Sequence, residues 1–182
     1  MRQYQSQRPP HRTRPQARRL HGATLIELAA VLAIVVTLSA LALPPLAELT
    51  HQRRADATVS ALRADLTLAR TTAIMLGRSV TVCGRTSTNQ CAPDLDWSQG
   101  WLVVSGPPAE AGPEDIVRIG ALLDDGLSLH SNRKRLRYRN DGTSPGTNQT
   151  IRVCVAGRQR AALVINNAGR PRSSRTVPHI AC

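Results

Sequence analysis

Apolar residues run almost without interruption from residue 23 to residue 43, and Glu27 is the one charged residue among them. A helix needs about 20 consecutive apolar residues to cross a bilayer, so this run predicts a membrane-spanning helix. A carboxylate within such a segment is energetically expensive, which indicates that Glu27 serves a function. Six arginines and no acidic residue precede Gly22.

Two ordinary interpretations compete for this segment. Ala40-Leu41-Ala42 has the small-x-small form of a secretory cleavage site. Against it, the apolar run is longer than the apolar core of a secretory signal and contains Glu27. A plain membrane anchor would need neither Gly22 nor a glutamate five residues after it. The combination therefore favours a specialised leader and anchor over both.

Beyond Pro44-Pro45, which should kink or locally unwind the helix, the apolar positions become periodic. They recur at three- and four-residue spacing and form one stripe: Leu62, Leu66, Ala69, Ala73 and Leu76. Arg63, Asp65 and Arg70 are expected off this stripe, and Gly77 should end the helix. The second half of the helix is therefore predicted to be amphipathic and to pack on a sheet.

The rest of the chain predicts short strands, separated by loops rich in Gly and Pro at residues 105–113 and 141–146. The predicted strands are residues 79–83, which alternate in polarity, then 101–104, 116–119, 127–130, 136–139, 150–155 and 161–165. Ala156-Gly157-Arg158 should form a hairpin turn between the last two. A long helix followed by antiparallel strands predicts an α+β fold.

The net charge of +12 is unevenly placed. From residue 118 onward there are twelve basic and three acidic residues, which gives 12 − 3 = +9. All but one of these basic residues are arginines, whose forked guanidinium suits phosphate. This half of the chain therefore points to a polyanion or an anionic surface as a partner.

Aromatic residues are scarce: the chain has no Phe, two Tyr and two Trp. The core must therefore be built mainly from Val, Leu, Ile and Ala. Trp97 and Trp101 would suit stacking on nucleic-acid bases, but in such a chain they are expected to complete the core.

The four cysteines, Cys83, Cys91, Cys154 and Cys182, all follow the apolar segment. An even count in an exported region predicts disulfides, and the absence of a C-x-x-C pair argues against zinc. We expect Cys83 to pair with Cys91, closing a short loop, and Cys154 with Cys182, holding the tail. Four free thiols in a reducing compartment are the alternative.

The segment His21-Gly22-Ala23-Thr24-Leu25-Ile26-Glu27 with its basic leader resembles the class III signal of type IV pilins and pseudopilins. The resemblance implies that a prepilin peptidase cuts after Gly22 and N-methylates Ala23. It also implies that Glu27 pairs with the N-terminal amine of a neighbouring subunit during assembly. Members of the family usually begin with Phe, whereas this chain would begin with Ala23, and its leader is longer than many.

Later motifs resemble the GspH/FimT branch of that superfamily. They include Asp96-Trp97-Ser98-Gln99-Gly100-Trp101, Tyr138-Arg139-Asn140-Asp141-Gly142 and Gly169-Arg170-Pro171-Arg172. The resemblance implies the pilin architecture, a long N-terminal helix packed on an antiparallel sheet domain. The implied organisation is a leader at 1–22, a membrane half of the helix at 23–43, an amphipathic half at 44–77, and a β-rich domain at 78–182.

The tetrad at Gly169 resembles the G-R-x-R motif that FimT-like competence pilins use for DNA. The resemblance makes Arg170 and Arg172 candidate phosphate ligands, with Arg175 close behind. A similar tetrad, Gly157-Arg158-Gln159-Arg160, lies at the predicted hairpin. If the Cys154–Cys182 bond holds the tail beside that hairpin, all five arginines would form one patch. The plain alternative is that they are solvated surface arginines.

A second basic run contains Arg133, Lys134, Arg135, Arg137 and Arg139. On a strand, its four arginines would share one face, because side chains alternate. The sequence supports equally an extension of a DNA-binding track and an ordinary exposed face.

Two function hypotheses follow. The first is a FimT-like minor pilin, anchored in the inner membrane with a periplasmic domain and later part of an extracellular pilus, which binds DNA without sequence preference for natural transformation. The second is a GspH-like pseudopilin of a type II secretion system, or a structural minor pilin, without DNA binding. The expected partners are DNA, other pilins, the prepilin peptidase and the membrane. No enzyme activity, cofactor or metal is expected.

Overall fold

The computed structural model describes residues 22–109, 111–146, 148–175 and 182, without the side chains of residues 41–44 and 175. The chain forms two compact units, one ending at Leu43 and the other spanning Pro44–Cys182. The described part of the first unit is an exposed apolar helical segment. It belongs to a helix that is long and apolar enough to cross a membrane.

That helix, α1, spans Leu25–Leu76. At its start Thr24 and Glu27 form a reciprocal cap: the Glu27 amide donates to Thr24 Oγ1 at 3.3 Å, and the Thr24 amide donates to Glu27 Oε2 at 3.2 Å. Gly77 has a φ of 63° and ends the helix, as predicted. Helical structure continues through Pro44-Pro45, so the expected local unwinding does not occur. Each proline removes one N–H donor and crowds the carbonyl group four residues earlier, but the backbone is helical on both sides of the pair and continues through it.

The second unit contains two antiparallel four-stranded sheets. The first has the order β3-β2-β1-β5, with β1 at Val80–Gly84, β2 at Trp101–Ser105, β3 at Ile116–Ile119 and β5 at Arg135–Tyr138. The second has the order β4-β6-β7-β8, with β4 at Leu127–Ser131, β6 at Gln149–Val155, β7 at Arg158–Ile165 and β8 at Pro171–Arg175. A short 3-10 turn, Pro113–Asp115, precedes β3.

Seven strands lie where the sequence predicted them, but β8 was not predicted. Its residues, Pro-Arg-Ser-Ser-Arg, have no apolar alternation. The strand exists because it pairs with β7 along its whole length, from Ile165↔Pro171 to Ala161↔Arg175. It is the edge of its sheet, and a proline is tolerated at the first position of an edge strand.

The main core lies between the Pro44–Leu76 part of α1 and the inner faces of both sheets. The buried stripe of the helix consists of Ala55, Val59, Leu62, Leu66, Ala69 and Ala73. The prediction was right through Ala73 and wrong at Leu76, which is 52% exposed at the end of the helix. The alternation in β1 places Val80 and Val82 in the main core and Cys83 on the opposite face, and all five residues of the strand are buried. Its outer face is covered by a second small cluster of Cys83, Leu102 and Val104, packed against Cys91, Ala111 and Ile116.

Trp97 and Trp101 are both fully buried in the main core, as expected. The Trp101 indole donates from Nε1 to Asp65 Oδ2 at 2.9 Å. Asp65 is itself buried and also forms an ion pair with Arg118 at 3.4 Å. Its expected place off the apolar stripe was therefore wrong. The carboxylate is buried because it has an indole donor and an arginine as partners, which offset its desolvation.

Candidate nucleic-acid interface

Both expected disulfides are present in the structure. Cys83 and Cys91 have Cα atoms 5.5 Å apart, and Cys154 and Cys182 have Cα atoms 6.3 Å apart. Cys154 lies on β6 just before a two-residue turn, Ala156-Gly157, whose φ values of 52° and 71° suit a type I′ hairpin. The Cys182 amide donates to the Gly157 carbonyl oxygen at 3.2 Å. The end of the tail is therefore fixed beside the β6–β7 hairpin.

Arg160 is buried, so its expected place in an exposed patch was wrong. The side chain is 4% exposed, and its Nη1 forms a close ion pair with Oε1 of Glu48 on α1. A bulge explains this placement: Val153 pairs with Ala161 and Cys154 pairs with Gln159, which leaves Arg160 as the extra residue on β7. The guanidinium therefore connects the sheet to the helix and is not available to an external ligand.

The remaining arginines of the expected patch lie at opposite ends of β7. Arg158 pairs with Val155 at the hairpin end, whereas Pro171 pairs with Ile165 at the other end, directly after Arg170. At about 3.3 Å per residue, these ends are about 23 Å apart along the strand. Arg158 and Arg170 therefore do not form one cluster. The Arg175 backbone pairs with Ala161, and its side chain lies outside the described residues.

Arg170 and Arg172 are exposed on the β7–β8 connection and on β8. The turn is held by the Gly169 amide, which donates to the Asn166 carbonyl oxygen at 2.8 Å, and by the Arg170 amide, which donates to Asn166 Oδ1 at 3.2 Å. Arg172 is paired with Val164, whose side chain is also exposed. Within the described part of the chain, neither arginine forms an ion pair. Both guanidinium groups are therefore open to an anionic ligand.

Gly169 lets this turn pack closely against the loop between β5 and β6. A Cβ atom built on Gly169 would overlap the Gly142 carbonyl oxygen and lie 3.0 Å from Cε1 of Tyr138. The Gly142 carbonyl oxygen accepts a bond from Arg70 Nε of α1 at 2.9 Å. The Ser144 amide donates to the Asn167 carbonyl oxygen at 2.9 Å. The turn that carries Arg170 is therefore fixed beside the end of β5.

Strand β5 presents the second basic run. Leu136 and Tyr138 are fully buried, and Arg135 and Arg137 between them are exposed. Arg133 and Arg139 continue the exposed positions beyond each end. The predicted common strand face is therefore confirmed for Arg135 and Arg137, whereas Arg133 and Arg139 lie outside the strand, which is shorter than expected.

Two titratable groups near this end of the domain have shifted pKa values. Burial raises the pKa of Tyr138 well above its usual 10.0, and the nearby charge of Arg70 opposes this only in part. Hydrogen bonds from the side chain and backbone of Thr143 lower the pKa of Asp141, and Arg139 adds a smaller effect in the same direction. Asp141 is therefore an ionised, exposed carboxylate beside Arg139.

Other ligand chemistries find little support in the described ranges. No group of three or more His, Cys, Asp or Glu side chains converges there in a way that could hold a metal. The two Trp rings are fully buried and not free to stack on bases.

Comparison with known proteins places this geometry in a family. Residues 58–169, more than half of the chain, match the family described as type II transport protein GspH. Crystal structures of the type IV minor pilin FimU from Pseudomonas aeruginosa share the fold in two crystal forms at 21% identity. They give TM-scores of 0.51 and 0.56 and cover 70% and 74% of this chain and 98% of FimU. The comparison with curated proteins gives no match. By its sequence match over residues 58–169 the chain belongs to the GspH family, and its long apolar helix and antiparallel sheets give it the fold of the type IV minor pilin FimU.

Proposed function

We propose that this protein is a minor pilin that is held in the inner membrane by the first part of α1 and then enters a filament with other pilins. The family match and the apolar helix support this assignment. The exposed apolar side chains of the first unit need a covering of lipid or of other helices. In this role the domain Pro44–Cys182 lies in the periplasm before assembly and on the pilus afterwards.

Processing should occur between Gly22 and Ala23, because a basic leader, Gly22 and Glu27 occur together. Amino-terminal sequencing of the membrane-extracted protein from cells with a prepilin peptidase should give Ala23 first, carrying an N-methyl group. A start at residue 43, after Ala40-Leu41-Ala42, would contradict this proposal and indicate a secretory signal peptidase.

The Glu27 carboxylate should pair with the Ala23 amine of a neighbouring subunit. In the isolated chain it caps its own helix through Thr24, so its charge has a local partner before assembly. In the same preparations, Glu27→Ala should still be processed at Ala23 but be depleted from sheared filaments. Normal incorporation would leave Glu27 with the capping role alone.

We further propose that the pilin binds extracellular DNA without sequence preference, for uptake in natural transformation. The observation that carries this proposal is the pair of exposed arginines, Arg170 and Arg172, which have no ion-pair partner within the described residues. They lie just past the family match, within the segment from residue 118 onward, which has a charge of +9. Phosphate contacts and counterion release would supply the affinity.

Changing Arg170 and Arg172 together to Gln should weaken duplex DNA binding roughly 10- to 100-fold at about 0.1 M salt. The plot of log affinity against log salt should also flatten by about two units, because each lost phosphate contact removes about 0.9. A gel shift or fluorescence anisotropy titration of the piece Pro44–Cys182 measures both. This piece retains Glu48, the partner of buried Arg160.

The matched control removes two other exposed arginines, Arg63 on α1 and Arg158 at the hairpin, as R63Q/R158Q. It has the same net charge as R170Q/R172Q and should bind nearly as well as the parent. Equal weakening in both variants would show that net charge alone matters. A parent that binds no DNA at low salt would remove the proposal.

The second candidate function is a pseudopilin of a type II secretion system, without a nucleic-acid role. The observation that favours it is the description of the matched family, a type II transport protein. This role would not require the unpaired arginines. The DNA titration of the parent therefore separates the two candidates.

A further inference from the structure

Four exposed arginines, referred to below as the row, lie on the outer face of β5 and just beyond its two ends. Arg133, Arg135, Arg137 and Arg139 occupy alternate positions and are all exposed. Arg135 and Arg137 are alternate residues of the strand and lie about 6.6 Å apart, whereas Arg133 and Arg139 lie just outside the strand, one beyond each end. The buried side chains of Leu136 and Tyr138 fix the strand to the core between them. The row is therefore attached to a rigid element.

Protein groups leave these charges largely unneutralised. The described ion pairs are Arg78 with Asp115, Arg118 with Asp65, and Arg160 with Glu48, and none involves the row. The carboxylate beside Arg139 is Asp141, which accepts hydrogen bonds from the Thr143 amide at 2.8 Å and from Thr143 Oγ1 at 2.6 Å. Like charges at this spacing repel one another, and a polyanion with regularly spaced charges would relieve that repulsion.

A cleft of about 310 Å³ runs beside the middle of the row. Arg135 and Arg137 line it together with the remaining lining residues, which are Ser79, Thr81, Pro107, Pro108 and Pro145. The two guanidinium groups supply phosphate donors, and the three proline rings supply an apolar wall. This combination fits a nucleotide unit, whose phosphate is charged and whose base has a flat face that can lie against the proline rings.

The segment that follows β5 contacts the turn that carries Arg170. Arg139 follows the last residue of β5, Tyr138, and Gly169 packs on the ring of Tyr138 and on Gly142. The Arg139 amide donates to the Thr143 carbonyl oxygen at 2.8 Å, which holds the same loop. The row and the exposed arginine of the turn therefore lie on contacting segments.

We infer that the phosphodiester backbone of a single nucleic-acid strand runs along β5, contacting Arg133, Arg135, Arg137 and Arg139, and reaches Arg170 at the β7–β8 turn. The inference rests on the proposed DNA-binding function and specifies the path of the strand. It replaces the single patch of five arginines that the two tetrads had suggested, because Arg160 is buried and Arg158 lies at the far end of β7 from Arg170. The Arg135–Arg137 cleft holds one nucleotide, with its base or sugar against the prolines.

The test compares R135Q/R137Q with R63Q/R158Q in the full chain, purified in detergent, using a labelled single-stranded oligonucleotide. The row variant should bind at least tenfold more weakly than the control. The negative slope of its log affinity against log salt should become shallower by about 1.4 units, because each phosphate contact on a single strand contributes about 0.7. Near-ultraviolet circular dichroism should be unchanged in both variants, because all four arginines are exposed. Polyglutamate, added at the same concentration of negative charges as the oligonucleotide, should displace little of the labelled oligonucleotide from the protein.

The outcomes separate the two proposals. If R170Q/R172Q weakens binding and R135Q/R137Q does not, DNA binding stands and the path along β5 is wrong. If the row variant and the control weaken binding equally, the row has no specific role and the inference is overturned. If polyglutamate competes as well as the oligonucleotide, the row is a site for acidic protein surfaces. If the parent binds no DNA, both proposals fall.

Discussion

Replacing Trp101 with alanine should lower the free energy of unfolding by about 3 to 5 kcal/mol, the usual range for removing a fully buried large aromatic side chain. The indole lies in the main core at 0% exposure. A Cβ atom on Gly120 would overlap the ring, so the backbone is fitted closely around it. Urea unfolding of the piece Pro44–Cys182, followed by circular dichroism, measures the change.

A matched pair of phenylalanine variants isolates the hydrogen bond to Asp65. Trp97 and Trp101 are both fully buried, but within the described residues only the Trp101 indole has a hydrogen-bond acceptor. Trp101→Phe leaves a buried carboxylate without its donor, whereas Trp97→Phe removes an indole N–H that has no partner. Trp101→Phe should therefore be more destabilising by about 1.5 to 3 kcal/mol, the range for a hydrogen bond to a charged group. If both variants lose the same free energy of unfolding, the hydrogen bond between Trp101 and Asp65 contributes nothing to stability.

Removing the Cys154–Cys182 bond by the double change to serine should lower stability by about 3 to 4 kcal/mol. A chain-entropy treatment gives this value for a loop with a sequence separation of 28. The same change at Cys83 and Cys91, whose separation is 8, should cost about 2.5 kcal/mol. Serine at both positions leaves no unpaired thiol in either loop. Urea unfolding of both variants under non-reducing conditions checks the difference of about 1 kcal/mol.

The proposed DNA binding offers a second measurement of the effect of removing the Cys154–Cys182 bond. The turn with Arg170 is held by Gly169, Asn166 and Ser144, none of which depends on Cys182. The folded serine variant should therefore retain most of its affinity. A larger stability loss at the Cys83–Cys91 loop, or loss of DNA binding in folded C154S/C182S, would contradict this account.

Local patterns in the sequence were enough to predict most of the secondary structure. Strand positions, the helix end at Gly77 and the Ala156-Gly157 turn all depend on neighbouring residues, so spacing and residue type predict them. The burial of Asp65 could also have been predicted, because it lies three residues after Leu62 and beside Leu66, on the same side of a helix. Its charge led to the opposite expectation, because its partner Arg118 is distant in sequence.

The candidate site was less predictable, because it depends on pairing between strands. A single extra residue in β7 moves Arg160 from the surface into the domain, and residue spacing does not reveal such a bulge. The direction of β8 along β7 separates Arg158 from Arg170, and β8 carries no apolar pattern by which to predict it. The exposed face of β5 was readable, but its contact with the Gly169 turn required the tertiary structure.

The contact among Arg70, Gly142 and Gly169 has a consequence for how the family can diverge. Arg70 Nε donates to the Gly142 carbonyl oxygen, and the same oxygen lies against Gly169. A side chain at Gly169 would displace the loop that Arg70 holds, and a longer loop at Gly142 would displace the turn. Homologues should therefore keep or lose these three residues together. Lineages that lose them are free to remodel the arginine-bearing turn, so inheritance of the trio should mark the homologues in which this turn keeps the same conformation.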